Sequence, residues 1–591
     1  MLRHAVNNLG AWIMPKKYLA GLVVLIVAVG LGGYWFYRQR LAADVAMATL
    51  PPAQALAFFA VPGLPQGWAD LQQSKFYRHV ASPAFWQRAL GSDGYRRLLA
   101  EKQRLEQHLG LPLTDTTVNL LLGREFGLAL VPSPERMVDI VAYVRVSATE
   151  QIVESLTRTS AGARPDMVRQ TQMVDGVEIV TLHPQAAPTS LSYAFLGTVA
   201  VLSTDPIWVI DAIKAQHGAA PDRLYTIPTF QAMHLDSTPA LLAYGYYDSE
   251  RLQAHVSERL SAVVESPSAD MLQRLQTTGK VTLKARRVGD GIMAETMAWY
   301  PQAAAIQMFR PVERAGAMPP FRGVPAETFY LTHVDLLDLQ GVWQLLRQVA
   351  AAGDQQALQQ ILGAFRAWAG VDFEGDVLPV LTGVTGLGLT TPFGASRDSP
   401  IALPGLFVTL GLTDASKGQQ LMQTIVAHAG GPSLLEFLRR QSYDGQTITY
   451  LGHPLLFVTP GYVISHQQLI LGSDVSLLRH MLDTASGKTT PLMDTTGYQA
   501  TRKHFRIQGG SMTFIDVSAS VERIQEAWLR FGGVIRALTQ LDSGATSGGS
   551  TPGDPWALLE ILRPLHYVGV ASQAEAQGVR SEAFLAIQDL P

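Results

Sequence analysis

The chain contains the same pattern twice, and this internal repeat constrains its fold more than any other feature. Residues Gly110–Pro132 match Gly370–Pro392 without a gap. The distance between the copies is far greater than the roughly 20 to 50 residues of solenoid repeats. A unit of that size has a hydrophobic core of its own. The sequence therefore predicts two copies of one module, although a repeated scaffold does not by itself indicate a chemistry.

Further matching blocks follow in the same order in both copies. Asp175-Gly176 corresponds to Asp444-Gly445, and Asp-Gly between alternating apolar residues predicts a two-residue hairpin turn. Asp205 and Asp474 stand where a strand leads into a helix, so we predict that both are helix N-caps. The last strands of each copy align Glu295 with Glu582.

The segment from Tyr18 to Tyr37 is uncharged and mostly apolar. A helix of this length rises about 1.5 Å per residue and extends about 30 Å, the thickness of the hydrocarbon layer of a bilayer. Tyr18 at one end, and Tyr34, Trp35, Phe36 and Tyr37 at the other, suit the headgroup regions. We predict a single transmembrane helix with these five residues as its interfacial anchors.

A cleaved signal peptide is the main alternative to an anchor, because Ala46-Met47-Ala48 has the pattern of a cleavage site. Apolar regions of signal peptides are shorter, about 7 to 15 residues, and here Arg38 and Arg40 precede that site. We therefore favour a retained anchor. More basic charge precedes the apolar segment than follows it, which predicts a cytoplasmic N-terminus and a periplasmic bulk at the bacterial inner membrane.

The strands are short, alternating and joined by hairpins, with helices among them. This pattern predicts an α+β fold. We expect an N-terminal transmembrane helix followed by two tandem homologous modules, each a mainly antiparallel sheet packed with helices. The predicted boundaries are a cytoplasmic tail over 1–17, the transmembrane helix over 18–37, a linker over 38–49, module 1 over 50–320 and module 2 over 321–591.

Composition excludes several classes of function. The formal net charge is −3 without a basic run, so we predict no nucleic-acid partner. The chain has no cysteine, which suits an oxidising compartment and excludes thiol catalysis and thiolate metal sites. Neither an HExxH nor a GxSxG motif is present. We predict no catalytic residue and no cofactor.

One acidic cluster is a weak candidate for a metal site. Asp372, Glu374 and Asp376 alternate as the first ligands of a calcium loop do, but no glutamate completes an EF-hand. A solvated turn after a helix is the alternative interpretation. The first copy has Pro112, Thr114 and Thr116 at these places, according to the alignment above, so it would not share such a site.

Most of the chain after Leu50 resembles an uncharacterised bacterial family. The resemblance rests on Pro325-Ala326-Glu327 with the strand that follows, on the block over 370–383, and on the N-terminal apolar segment. Members of that family are described only as carrying a domain of unknown function, and are membrane-anchored, outward-facing proteins with repeated α+β modules. The resemblance implies a location in the cell envelope and no known activity, so it identifies no functional residue.

Three functions are compatible with these observations. The first is a non-catalytic binding or scaffold protein of the envelope, with other envelope proteins as partners and the bilayer contacted through the N-terminal helix. The second is a carrier or chaperone that shields a lipid or another apolar ligand. The third is a hydrolase with a dispersed site. A mean hydropathy of +0.12 with 16% charged residues favours extensive burial or apolar contacts.

Overall fold

The computed structural model describes residues 46–82, 125–145, 167–263, 279–300, 322–392, 403–526 and 562–587, with short gaps inside several of these ranges, together with positions 100 and 103. The predicted tail over 1–17, the predicted transmembrane helix over 18–37 and most of the linker over 38–49 lie outside these residues. Within the described ranges, no helix is both long enough and apolar enough to cross a membrane.

The described chain contains twenty strands, many of which follow one another without a described helix between them. The first ten are β1 (Ala57–Pro62), β2 (Glu125–Pro132), β3 (Val138–Arg145), β4 (Met167–Val174), β5 (Val177–Pro184), β6 (Leu191–Leu196), β7 (Val199–Ser203), β8 (Leu241–Asp248), β9 (Lys280–Val288) and β10 (Gly291–Trp299). The second ten are β11 (Thr328–Asp335), β12 (Leu381–Thr390), β13 (Gly405–Leu412), β14 (Leu438–Tyr443), β15 (Gln446–Leu451), β16 (Gly461–Ser465), β17 (Gln468–Gly472), β18 (Ser511–Asp516), β19 (Leu565–Glu575) and β20 (Gly578–Ile587).

The helices with defined bounds are mostly short. They are α1 (Leu64–Gln73), α2 (Lys75–Val80), α3 (Pro206–Gln216), α4 (Pro228–Gln231), α5 (Ser249–Val263), α6 (Gln355–Ala369), α7 (Ala415–Ala429), α8 (Val475–Ala485) and α9 (Thr496–Arg502). A π-helical turn over Phe373–Val377 follows α6, and residues 517–526 are helical.

Both groups of ten strands are arranged in the same order. The first group runs β4-β5-β6-β7-β3-β2-β1-β8-β9-β10 across the sheet. The second runs β14-β15-β16-β17-β13-β12-β11-β18-β19-β20. Every pair of neighbouring strands among these is antiparallel, so each half combines hairpins with longer connections that carry the helices.

The two groups are joined into one sheet, which corrects the predicted fold. Strand β10 pairs with β20 along its whole length, from Gly291 opposite Ala586 to Trp299 opposite Gly578. The predicted fold, a transmembrane helix followed by two tandem modules that each have a mainly antiparallel sheet of their own, is therefore wrong, because the described strands form a single 20-stranded sheet. No helix among the described residues supports the transmembrane part of that prediction. The physical reason for the single sheet is that each half ends in a strand with unpaired backbone groups, and pairing the two strands satisfies both.

Helices cover both faces of the sheet in the second half. In β16, Tyr462 and Val463 are consecutive, so their side chains point to opposite faces. Tyr462 belongs to a core cluster with Leu421 of α7, whereas Val463 belongs to a cluster with Leu477 of α8. In the first half, α3 packs on β5, β6 and β7 as α8 packs on β15, β16 and β17.

Both predicted N-caps are confirmed. The Asp205 carboxylate accepts a hydrogen bond from the backbone N–H of Ile207 at 2.9 Å, at the start of α3. The Asp474 carboxylate accepts one from the N–H of Ser476 at 2.7 Å, at the start of α8. Each satisfies a donor that the first helical turn leaves without a partner.

The predicted Asp-Gly turns are also confirmed. Asp175 and Asp444 both have φ of 49°, and Gly176 and Gly445 have φ of 76° and 73°. Two successive positive φ values define the tight hairpin turn that aspartate and glycine favour. These turns join β4 to β5 and β14 to β15.

Candidate functional site

The strands at the junction of the two halves have one face that is buried and one that is not. Along β10, buried Gly291, Met293 and Glu295 alternate with the half-buried side chains of Ile292 and Ala294. The same alternation runs along β20. Because the buried positions belong to the core under the helices, the alternate positions lie on the opposite face of the sheet.

This second face spans four neighbouring strands, and we call it the central sheet face. Its one charged side chain on these strands is Arg287 of β9, which lies opposite Ile292 at one end of the face and pairs with Asp70 of α1. The uncharged part of the face comprises Val281, Leu283 and Ala285 of β9, Ile292, Ala294, Thr296 and Ala298 of β10, Val579, Ser581, Ala583 and Leu585 of β20, and Val568, Val570 and Ser572 of β19. All are half-buried. Solvated faces of antiparallel sheets are normally polar, so this composition suits contact with another surface rather than with water.

A row of hydroxyl groups crosses the central sheet face. Thr296 lies opposite Ser581, Ser581 opposite Ser572, and Ser572 opposite Ser511 on β18. The Ser572 hydroxyl donates to the Ser581 hydroxyl at 2.8 Å. These four residues, which we call the hydroxyl row, place hydrogen-bonding groups in line across an otherwise apolar surface.

The other side of the same strands contains buried charges. The Glu295 carboxylate lies 3.2 Å from the ammonium of Lys284 and 3.2 Å from the guanidinium of Arg286, both on β9. Burial alone would raise the pKa of Glu295, but the two cations hold the pKa below its ordinary value. Glu295 is therefore ionised at neutral pH and links β9 to β10.

Glu582 is opposite Glu295 in the junction and is completely buried. Its Oε2 accepts hydrogen bonds from the backbone N–H groups of Arg506 at 2.7 Å and Ile507 at 3.2 Å. Its Oε1 has no hydrogen-bond partner among the described residues. These contacts tie β20 to the segment after α9, so the strands beneath the central sheet face are held in place.

In the predicted acidic cluster, two carboxylates accept hydrogen bonds from backbone N–H groups of the same turn. The Asp372 carboxylate accepts a hydrogen bond from the N–H of Gly375 at 2.8 Å and caps the π-helical turn. The Asp376 carboxylate accepts one from the N–H of Asp372 at 2.7 Å. Two of the three candidate ligands are thus engaged by the backbone.

The third candidate, Glu374, binds side chains instead. It accepts a hydrogen bond from the indole N–H of Trp343 at 2.7 Å and pairs with the guanidinium of Arg347 at 3.1 Å. Within the described part of the chain, no group of three His, Cys, Asp or Glu residues is arranged to hold a metal ion.

The five predicted anchor residues are not among those that the structure describes. These are Tyr18, Tyr34, Trp35, Phe36 and Tyr37. Their assignment to the membrane interface is a sequence-based prediction that the described residues do not test.

Sequence reasoning did not identify the central sheet face. The pairing of β10 with β20 brings together positions that are almost 300 residues apart in the chain. A signal was nevertheless present, because small uncharged residues recur at every second position in the closing strands of both halves, at the places that became this face. What the sequence lacked was evidence that these two strands are neighbours.

Comparison with known proteins gives a family of unknown function for part of the chain. Residues 322–529 match the family described as "Protein of unknown function (DUF3352)". No curated protein matches the chain. Among solved structures, crystal forms I and III of TP0453 match with 7% identity and a TM-score of 0.23 in each case. Form I covers 52% of this chain and 87% of that chain, and form III covers 44% and 81%.

Proposed function

We propose that this protein is a non-catalytic scaffold of the cell envelope whose central sheet face binds a partner protein. One observation carries the proposal: four neighbouring strands at the junction present a half-buried face that is crossed by the hydroxyl row and is uncharged apart from Arg287 at one end, whose charge is paired with Asp70. Cores of protein interfaces are depleted of charged residues and retain a small number of direct hydrogen bonds. The composition of this face fits both properties.

The size of the side chains favours a protein over a lipid as the partner. Alanine, serine and valine dominate the middle of the central sheet face, so a partner's backbone or side chains can approach the strands closely. A lipid carrier would be expected to enclose its ligand in a deep apolar cavity of about 300 to 1,000 Å³. The hydroxyl row would also leave hydrogen-bonding groups unsatisfied against acyl chains, which costs free energy.

The same proposal includes the origin and the location of the protein. We infer that the two halves are copies of one unit, and the support is their common strand order together with the matching blocks of sequence. The envelope location is supported by the absence of cysteine. A scaffold made by joining two copies offers one wide surface at the joint, where neither copy alone would provide the whole face.

Site-specific photocrosslinking in cells tests the partner. A benzophenone amino acid replaces Ser581 on the central sheet face, and as a control it replaces Ile361, which is 66% exposed on α6. We expect a protein adduct from position 581 that is not obtained from position 361. When Ala294→Glu, which places a charge next to the hydroxyl row, is added, the yield of the adduct from position 581 should fall at least about tenfold. When Ala294→Ser is added instead, the yield should be retained.

The outcomes separate the alternatives. An adduct with the mass of a lipid at position 581 would replace the scaffold by the carrier function. Adducts of equal yield at positions 581 and 361, or an adduct insensitive to Ala294→Glu in a protein with unchanged circular dichroism, would refute binding through this face.

A further inference from the structure

The outermost strand of the first half has an exposed edge. Among the described residues, β4 pairs only with β5. Its side chains from 168 to 173 are all exposed, including Val168 at 44% and Met173 at 63%. An exposed edge strand presents a row of backbone N–H and C=O groups that can pair with another strand.

The hairpin turn determines which residues direct those groups outward. Val174 and Val177 flank the two-residue Asp-Gly turn and form a hydrogen-bonded pair, as in other two-residue hairpins. Hydrogen-bonded pairs recur at every second residue, so the backbone of Gln170 and Gln172 also bonds to β5. The backbone groups of Arg169, Thr171 and Met173 therefore point away from the sheet.

The sequence of β4 is nearly symmetric about Thr171. In an antiparallel pair of two β4 strands centred on that residue, Thr171 lies opposite Thr171 of the other copy and Gln170 opposite Gln172. Val168 then lies opposite Val174, and Arg169 opposite Met173. The outward-pointing residues, 169, 171 and 173, pair only with one another, as an antiparallel ladder requires. We propose that β4 pairs with β4 of a second copy of this chain and forms a symmetric dimer.

The corresponding edge strand of the second half, β14, is unsuited to the same symmetric pairing, which supports β4 as the dimer edge. Arg440 of β14 stands at the same distance before the Asp-Gly turn as Thr171 of β4. The same symmetric pairing of β14 would place Arg440 opposite Arg440, with a second arginine at 439 beside it. Like charges directly opposite each other destabilise a strand pair, and charges on edge strands are a common protection against pairing. In β4, the single arginine lies opposite a methionine instead.

Sedimentation of the full chain over a range of concentrations tests the dimer. Thr171→Pro removes an outward N–H and no hydrogen bond to β5, so the fold should be retained. We expect the wild-type protein to dimerise and Thr171→Pro to raise the dissociation constant at least about tenfold. Arg440→Pro, the matched change on the other edge, should leave the constant unchanged. A monomeric wild-type protein, or a dimer that resists Thr171→Pro, would overturn the proposal.

The absence of native cysteine allows a test of the register. Thr171→Cys should form a disulfide-linked dimer under mild oxidation, because residue 171 lies opposite itself. Arg440→Cys should not. Equal crosslinking of both variants would contradict the β4 pairing. Ala294→Glu, which tests the proposed scaffold function, should not change the dissociation constant of the dimer, so the two proposals can fail separately.

Discussion

His333 shows how burial of a single residue couples stability to pH. It lies in β11, between β12 and β18, and is 5% exposed. Burial lowers the pKa of His333 to about 4, although a hydrogen bond with the backbone of Thr385 partly opposes this shift. The folded protein therefore keeps this imidazole neutral at pH values where an unfolded chain would protonate it.

Unfolding measurements should detect this coupling. The ordinary pKa of histidine is about 6.5, so between about pH 6.5 and pH 4 the unfolded chain binds a proton that the folded chain does not. His333 alone should lower the free energy of unfolding by about 2 kcal/mol from pH 7 to pH 5. In His333→Asn this part of the pH dependence should be lost, as followed by denaturant titration at each pH. His466→Asn, a change at an exposed histidine, should keep this pH dependence. If the free energy of unfolding changed equally with pH in the two variants, His333 would be excluded as the source.

At the scale of secondary-structure elements, strand-to-helix transitions depend on single aspartates. Asp205 and Asp474 cap α3 and α8 in the same way. Asp474 has a further partner, because its second carboxylate oxygen accepts a hydrogen bond from the Thr459 hydroxyl at 3.0 Å. The Thr459 hydroxyl accepts in turn from the N–H of Val475 at 3.1 Å. The start of α8 is thus joined to the segment before β16.

This difference predicts unequal effects of the same substitution. Asp205→Ala should cost about 1 kcal/mol of stability, the usual value for losing an N-cap. Asp474→Ala should cost about 2 kcal/mol, because the Thr459 hydroxyl also loses its acceptor. Asp474→Asn should restore most of the loss, since an amide oxygen also caps. Thermal or chemical denaturation measures all three; equal losses for the two alanine variants would show that the Thr459 contact contributes nothing.

At the scale of the whole molecule, one strand pair joins the two halves. At about 4.8 Å between neighbouring strands, twenty strands extend roughly 90 Å across the sheet. The middle of this span is the β10–β20 pair, with Glu295 and Glu582 opposite each other. On one side of the pair, the ion pairs of Glu295 fix β10 to β9 and the backbone contacts of Glu582 fix β20 to the segment after α9. The central sheet face lies on the other side.

A proline in this pair should uncouple the halves. Ile587 donates its N–H to the carbonyl of Asp290, which precedes β10, so alternate residues of β20, including Ala583, direct their N–H groups toward β10. Ala583→Pro removes one of these hydrogen bonds and should cost about 2 to 4 kcal/mol. We expect calorimetry to resolve two unfolding transitions in this variant and one in the wild-type protein. Arg440→Pro, on the outer edge of β14, should keep the wild-type profile. One transition in Ala583→Pro would show that the halves are coupled elsewhere.

The sequence by itself determined the local features of this protein. The caps at Asp205 and Asp474 and the turns at Asp175 and Asp444 depend on a few adjacent residues, and the structure confirms them. The acidic cluster at 372–376 was also visible, but its use in hydrogen bonds within the turn and with Trp343 was not, because those partners are chosen in three dimensions.

Only the tertiary structure decided that the two halves share one sheet. Periodicity reports which face of a strand is buried, but backbone hydrogen-bonding groups are alike in every strand and do not specify a partner. The pairing of β10 with β20 is a property of the folded chain, in which the two strands meet along their whole length. The central sheet face exists because of that pairing, which is why residues spread over the closing strands of both halves could not be recognised as one surface beforehand.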